Sequence, residues 1–183
     1  EGKRFCTIQV LIRSFNGEGP RKGQPKIEVC FRGEGKRIRP EEKAGWHPDV
    51  VVRFQSKAWY DRNTCLKFTE RMKDVTKDAR VAGEETVLFC DNLDGQTTPE
   101  FKRALAKSNT VLHLLPGNVT DLIQLVDKQF GAMIKEELGE AHSEWMMDPD
   151  NLKKWTSAPK DGGMEAWEKR VHTTNMLATA YER

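Results

Sequence analysis

The sequence predicts a mixed α/β domain, with antiparallel strands first, parallel strands after them, and helices flanking both. Three observations point there. The first third sets β-branched and aromatic runs between Gly/Pro-dense stretches. The middle alternates short apolar runs with helical patterns, the order of strand–helix–strand units. A long apolar stripe at helical spacing then follows. At 183 residues the chain is long enough to bury one substantial core.

The elements are justified in order. Phe5 to Phe15 reads as a strand, ended by the turn-rich stretch Asn16 to Pro25, and Ile27 to Phe31 as its antiparallel return. After the basic loop Arg32 to Lys43, Asp49 to Gln55 is expected as a third strand, also antiparallel. Asp61 to Val75 sets Cys65, Leu66, Phe68, Met72 and Val75 on one helical face, with Asp61 as N-cap. The run Thr86-Val-Leu-Phe-Cys90 lacks polar alternation, as expected of a central strand covered on both faces. Thr98 and Pro99 open a helix, because a proline at the first position gives up an N–H that has no partner anyway. Val111 to Leu115 is a further buried strand, stopped by Pro116-Gly117. Val119, Leu122, Ile123, Val126, Phe130, Met133, Ile134 and Leu138 form the long stripe. From Ala141 the chain is helical, with breaks at Asp148-Pro149 and Pro159 to Gly163.

Composition narrows the function classes. A net charge of +2 is too mild to argue a nucleic-acid partner by itself. Arg21-Lys22, Arg32, Lys36-Arg37 and Arg39 do cluster, either as a solvated loop or as a phosphate-contacting one. No run approaches the roughly 18 apolar residues of a membrane span, and Glu1-Gly-Lys-Arg-Phe lacks the build of a secretory signal, so an intracellular protein without a membrane partner is expected. Cys6, Cys30, Cys65 and Cys90 have no short metal spacing and are expected as reduced, structural thiols. The four histidines form no ligand pair in sequence, so no zinc site is expected. Gly33-Glu-Gly-Lys36 lacks the spacing of a phosphate-binding P-loop, and the five tryptophans are read as partial core before base-stacking platforms.

Two aspartates carry the chemistry. Asp91 closes the apolar strand and opens Asp91-Asn92, at the strand end where open α/β sheets bind ligands. It is either a turn cap or a ligand. Asp127 follows Val126 in the long stripe, and is either an exposed acid beside Lys128 or a carboxylate at the helix–sheet seam. As a pair from different elements they suit divalent-metal phosphodiester chemistry, and oxygen donors favour Mg²⁺, with Mn²⁺ as the alternative.

The stretch Leu114-Leu-Pro-Gly-Asn-Val-Thr-Asp-Leu-Ile-Gln-Leu-Val-Asp127 resembles the Leu-Pro-x-Asn-x-Thr-x-Leu-x-Gln-Pro-x-Asp block of the DDE superfamily endonucleases, the pogo/Tigger/jerky-like transposases. Cys90-Asp91-Asn92 is similar to that family's second block, and Lys3 to Val10, Phe31 to Ile38, Trp46 to Val50 and Phe54 to Trp59 resemble one eukaryotic subgroup. The resemblance implies an RNase H-like domain over residues 1–145, with a helical extension over 146–183. It also implies a nuclear, DNA-cutting and joining function, Asp91 and Asp127 as second and third catalytic acids and metal ligands, and Mg²⁺ between them. Arg32, Lys36, Arg37 and Arg39 become the candidate backbone contacts, and no small-molecule cofactor is implied, while a homo-oligomer is compatible. The family's first acid lies on a strand before Lys3, so the chain is expected to be N-terminally truncated and unable to cut DNA alone. The other reading is a catalytically inactive, transposon-derived module that binds nucleic acid or protein. Two positions depart from the family pattern: Asp94-Gly-Gln96 stands where a His often follows Asp-Asn, and Leu125 replaces the block's second proline.

Overall fold

The computed structural model describes residues 5–14, 24–116 and 129–182. They divide into two compact units, one of residues 1–58 and 129–183, the other of residues 59–128.

In the first unit, β1 (Cys6–Gln9), β2 (Ile27–Arg32) and β3 (Val50–Gln55) form a sheet in that order. β1 and β2 are antiparallel, with Cys6 opposite Phe31 and Gln9 opposite Glu28. Beyond them Gln24 ties the two legs by accepting from the Arg13 N–H at 3.0 Å and donating to the Arg13 carbonyl at 2.8 Å.

The third strand corrects the sequence expectation. β3 runs parallel to β2, with Ile27 opposite Val50 and Arg32 opposite Gln55. The reason is the connection: residues 33–49 hold a short helix, α1 (Pro40–Gly45), which makes a crossover of the length parallel pairing requires. Pro40 followed by Glu41 and Glu42 is a helix-start signal that could have revealed it.

β2 is enclosed on both faces. Ile27, Val29 and Phe31 pack with Val50, Ile134, Leu177 and Ala178 in the core of this unit. Its opposite face carries Glu28, fully buried, which accepts from Arg53 Nε at 3.1 Å. The helices α5 (Gly131–Met146), α6 (Pro149–Thr156) and α7 (Ala166–Glu182) complete the unit. The expected boundary at residue 145 falls inside α5. α5 buries Ile134 and Ala141, whereas Phe130 and Met133 of the expected stripe are exposed. α6 starts on Asp148, whose carboxylate caps the Asp150 and Asn151 N–H groups.

Arg170 of α7 donates from Nε and Nη2 to the two carboxylate oxygens of Glu42 in α1, at 2.7 and 2.9 Å. The Glu42 side chain is about 1 % exposed and that of Arg170 about 18 %. α5, α6 and α7 also meet in an aromatic–imidazole cluster. His142 Nδ1 lies 3.5 Å from His172 Nε2, and Trp145 and Trp155 flank both rings. Lys169 sits 4.8 Å over Trp155 and donates to its carbonyl.

In the second unit, β4 (Thr86–Cys90) and β5 (Thr110–Leu114) pair in parallel, Thr86 opposite Thr110 and Cys90 opposite Leu114. They are joined through α4 (Pro99–Ala106) and preceded by α2 (Arg62–Val75) and the short α3 (Lys77–Val81). Asp61 caps α2 by accepting from the Thr64 N–H at 2.9 Å, and Thr98 caps α4. Phe68 of α2 stacks on Phe101 of α4, and Leu88, Leu105 and Met72 are buried with them. The expectation of two covered faces fails here. Val87, Phe89 and Val111 alternate onto the other face and are 48 %, 63 % and 45 % exposed.

All four cysteines are free thiols, as expected. Among the described residues no helix is long and apolar enough to cross a membrane.

Two outcomes are expected. Arg170→Ala strands a buried carboxylate and should destabilise the chain by about 3–5 kcal/mol in denaturant unfolding, whereas a Glu42→Leu/Arg170→Met pair should recover most of that loss. Burial, and secondarily His142, hold the His172 pKa below its ordinary 6.5. The unfolded chain therefore takes up this proton first, so stability should be full above about pH 6.5 and decline as pH falls through the lower folded value. His172→Gln should flatten that part of a stability–pH curve.

Candidate functional site

Asp91 sits where the sequence places it, half-buried and directly after β4. The parallel ladder continues past both strands. The Leu115 N–H donates to the Cys90 carbonyl at 2.8 Å, and the Asn92 side-chain amide donates to the Leu115 carbonyl at 2.8 Å. Asn92 thus stitches the chain leaving β4 to the chain leaving β5, and fixes the backbone from which Asp91 projects.

Its neighbour Cys90 is electrostatically locked. Burial, then the carboxylate of Asp91, then Cys65, push the Cys90 thiol up to about 12. It stays protonated at neutral pH and offers no thiolate nucleophile.

After Asn92 the chain folds tightly onto the start of α2. A Cβ on Gly95 would lie 2.6 Å from Cys65 Sγ and 3.2 Å from the Asp61 carbonyl, so only glycine permits this approach. Asp94-Gly-Gln96 is thus a close-packing device. Between this segment and the residues before α2 lies a cleft of about 450 Å³, lined by Trp59, Tyr60, Asp61, Arg62 and residues 92–95. Of the five tryptophans Trp59 alone is exposed, at 47 %.

Asp127 lies outside the described residues, with all of residues 117–128. Among the described residues no group of three His, Cys, Asp or Glu side chains forms around Asp91.

The basic residues behave unequally. Arg32 at the end of β2, with Lys36 and Arg37 on the loop after it, lines a cleft of about 420 Å³ in the first unit. Gly35, at φ +65°, lets that loop lie against Phe54, where a Cβ would come within 3.0 Å of the ring. Arg170 joins them in the cleft wall, its guanidinium 5.5 Å over Phe54 and its charge paired with Glu42. Nothing in the sequence links Arg170 to this loop. Lys36 pairs with Glu34 at 2.7 Å in solvent, where such a bridge counts for little. Arg39 instead turns to Glu165 at 2.9 Å and lies over Trp167. The fold also brings together histidines that the sequence scatters, His142 with His172.

A family model described as DDE superfamily endonuclease matches residues 18–178. The chain belongs to the DDE superfamily endonucleases. Its α/β fold, with β2–β3 and β4–β5 parallel and helices flanking the strands, is that of an RNase H-like DDE domain. No curated protein and no solved structure gives a significant match.

Gly95→Ala forces a methyl into Cys65 and the α2 N-terminus and should cost about 1–3 kcal/mol by denaturant unfolding. Gly83, whose Cβ would meet nothing within 4 Å but whose φ is +74°, is the comparison. Gly83→Ala should show only backbone strain, about 1 kcal/mol.

Proposed function

We propose that this DDE endonuclease domain binds DNA in the nucleus and, in its intact form, cuts and joins it by two-metal phosphodiester chemistry. The observation that carries the reading is the family match across residues 18–178 together with Asp91, a half-buried carboxylate at the C-terminal end of a parallel strand. Asp91 and Asp127 are the proposed ligands of Mg²⁺ or Mn²⁺. When bound, such a pair of ions readies the attacking oxygen and steadies the leaving one.

The chain's own residues set up that chemistry. Asn92 holds the strand ends in register beneath Asp91. Arg32, Lys36 and Arg37, on one cleft, supply positive charge for phosphate contacts, which position DNA without reading its sequence.

Gel-shift and calorimetric titrations test this. The chain should bind duplex DNA with micromolar affinity at low salt, and Lys36→Ala and Arg37→Ala should each reduce the salt-dependence slope by about 1. Asp91→Asn should leave DNA binding intact while weakening Mn²⁺ binding at least tenfold. Absence of DNA binding at about 50 mM salt, or Mn²⁺ affinity unchanged in Asp91→Asn, would sink the reading.

A further inference from the structure

We propose that His47, Asp49 and Glu182 form a binding site for a zinc-class divalent cation in the first unit. The three side chains offer one ligand atom each, and these atoms all lie within 4.8 Å of one another. Tetrahedral zinc ligands bonded at about 2.0–2.2 Å lie roughly 3.4 Å from one another. Asp49 and Glu182 are exposed, so their carboxylates are free to turn inward through the remaining distance.

The two sides of the site are fixed by contacts that do not use the ligand atoms. Thr174 of α7, wholly buried, accepts from the His47 N–H at 3.2 Å, and Asn175 donates to the Gly45 carbonyl at 3.3 Å. The loop is therefore pinned to the same helix that delivers Glu182, about two turns further along. The last turn of that helix is anchored in its own right, since the Tyr181 hydroxyl donates to the Pro25 carbonyl at 3.1 Å.

His47 Nδ1 accepts from the Asp49 N–H at 3.2 Å, so the lone pair of that nitrogen faces the Asp49 side of the site, and zinc ligation there would replace this bond. An imidazole among the donors disfavours Mg²⁺ and Ca²⁺ and suits zinc, with water completing the shell. Lys26, 3.8 Å from Asp49 Oδ1, is the local countercharge. A dication takes over that role while Lys26 keeps its 2.6 Å bond to the Pro48 carbonyl. The ion would clip the residues just before β3 to the end of α7, two segments far apart in the chain.

Titrating zinc into the metal-stripped chain by calorimetry, with melting curves alongside, tests the site. Zinc should raise the unfolding temperature by roughly 5–10 °C at a free concentration of about 100 Kd. His47→Gln and Glu182→Gln should each weaken that zinc site at least tenfold, while His172→Gln keeps the wild-type affinity. Glu182→Gln removes an exposed charge from a helix end, so it reads the site even where His47→Gln disturbs folding. No zinc binding up to about 100 µM, retention of affinity within twofold in Glu182→Gln, or loss in His172→Gln would overturn the proposal.

Discussion

The first unit depends on the buried ion pair between Glu42 and Arg170. Glu42 on α1 is sealed from solvent, and a sealed carboxylate is tolerable only when its charge and lone pairs are met. The two-pronged guanidinium of Arg170 meets both oxygens at 2.7 and 2.9 Å, a geometry that lysine could not reproduce. Because the partners are 128 residues apart, the pair forces the C-terminal helix onto the loop that follows β2. Replacing both partners with apolar residues would fill the volume at less electrostatic cost, so the pair's value lies in specifying which segments meet. The same arginine lies over Phe54 and forms part of the wall of the basic cleft. Structure and prospective function thus share one side chain.

The second unit rests on a different constraint. Parallel strands end side by side, and the polar backbone leaving them must find partners. Here the Leu115 N–H and the Asn92 amide supply them, which makes Asp91 part of a fixed platform. Gly95 closes the platform against α2 by removing the one atom that would hold the segments apart. The cost of this compactness falls on Cys90, whose thiol cannot ionise beside a carboxylate in a desolvated corner.

Much of this was legible in one dimension. The capping residues Asp61 and Thr98, the helices they open, and the strand closing on Asp91 follow from local rules that act over three or four residues. The direction of β3 is not legible in this way, because pairing direction depends on how the chain returns, and the short helix from Pro40 lies within a stretch whose basic residues read as a loop. Nor was the one-sided burial of β4: an apolar run states that a strand can be covered, while what packs on each face is set by other segments. The basic residues divide in the same way. Clustering in sequence put Arg39 with Arg32, Lys36 and Arg37, yet Glu165 draws Arg39 towards the C-terminal helices and Arg170 enters the cleft from far along the chain.

By itself, the sequence determined the α/β class, the bounds of β4 and of the helices that Asp61 and Thr98 cap, the strand-end position of Asp91 and the resemblance to the DDE endonucleases. These are short-range properties, fixed by side-chain periodicity, capping chemistry and contiguous residue order. Only the tertiary structure decided that β3 lies parallel, that Glu42 meets Arg170, that His142 meets His172, and that His47 and Asp49 face Glu182. Each of these, apart from the strand direction, joins residues separated by 30 positions or more. Such encounters are set by the packing of whole elements, which no local pattern encodes.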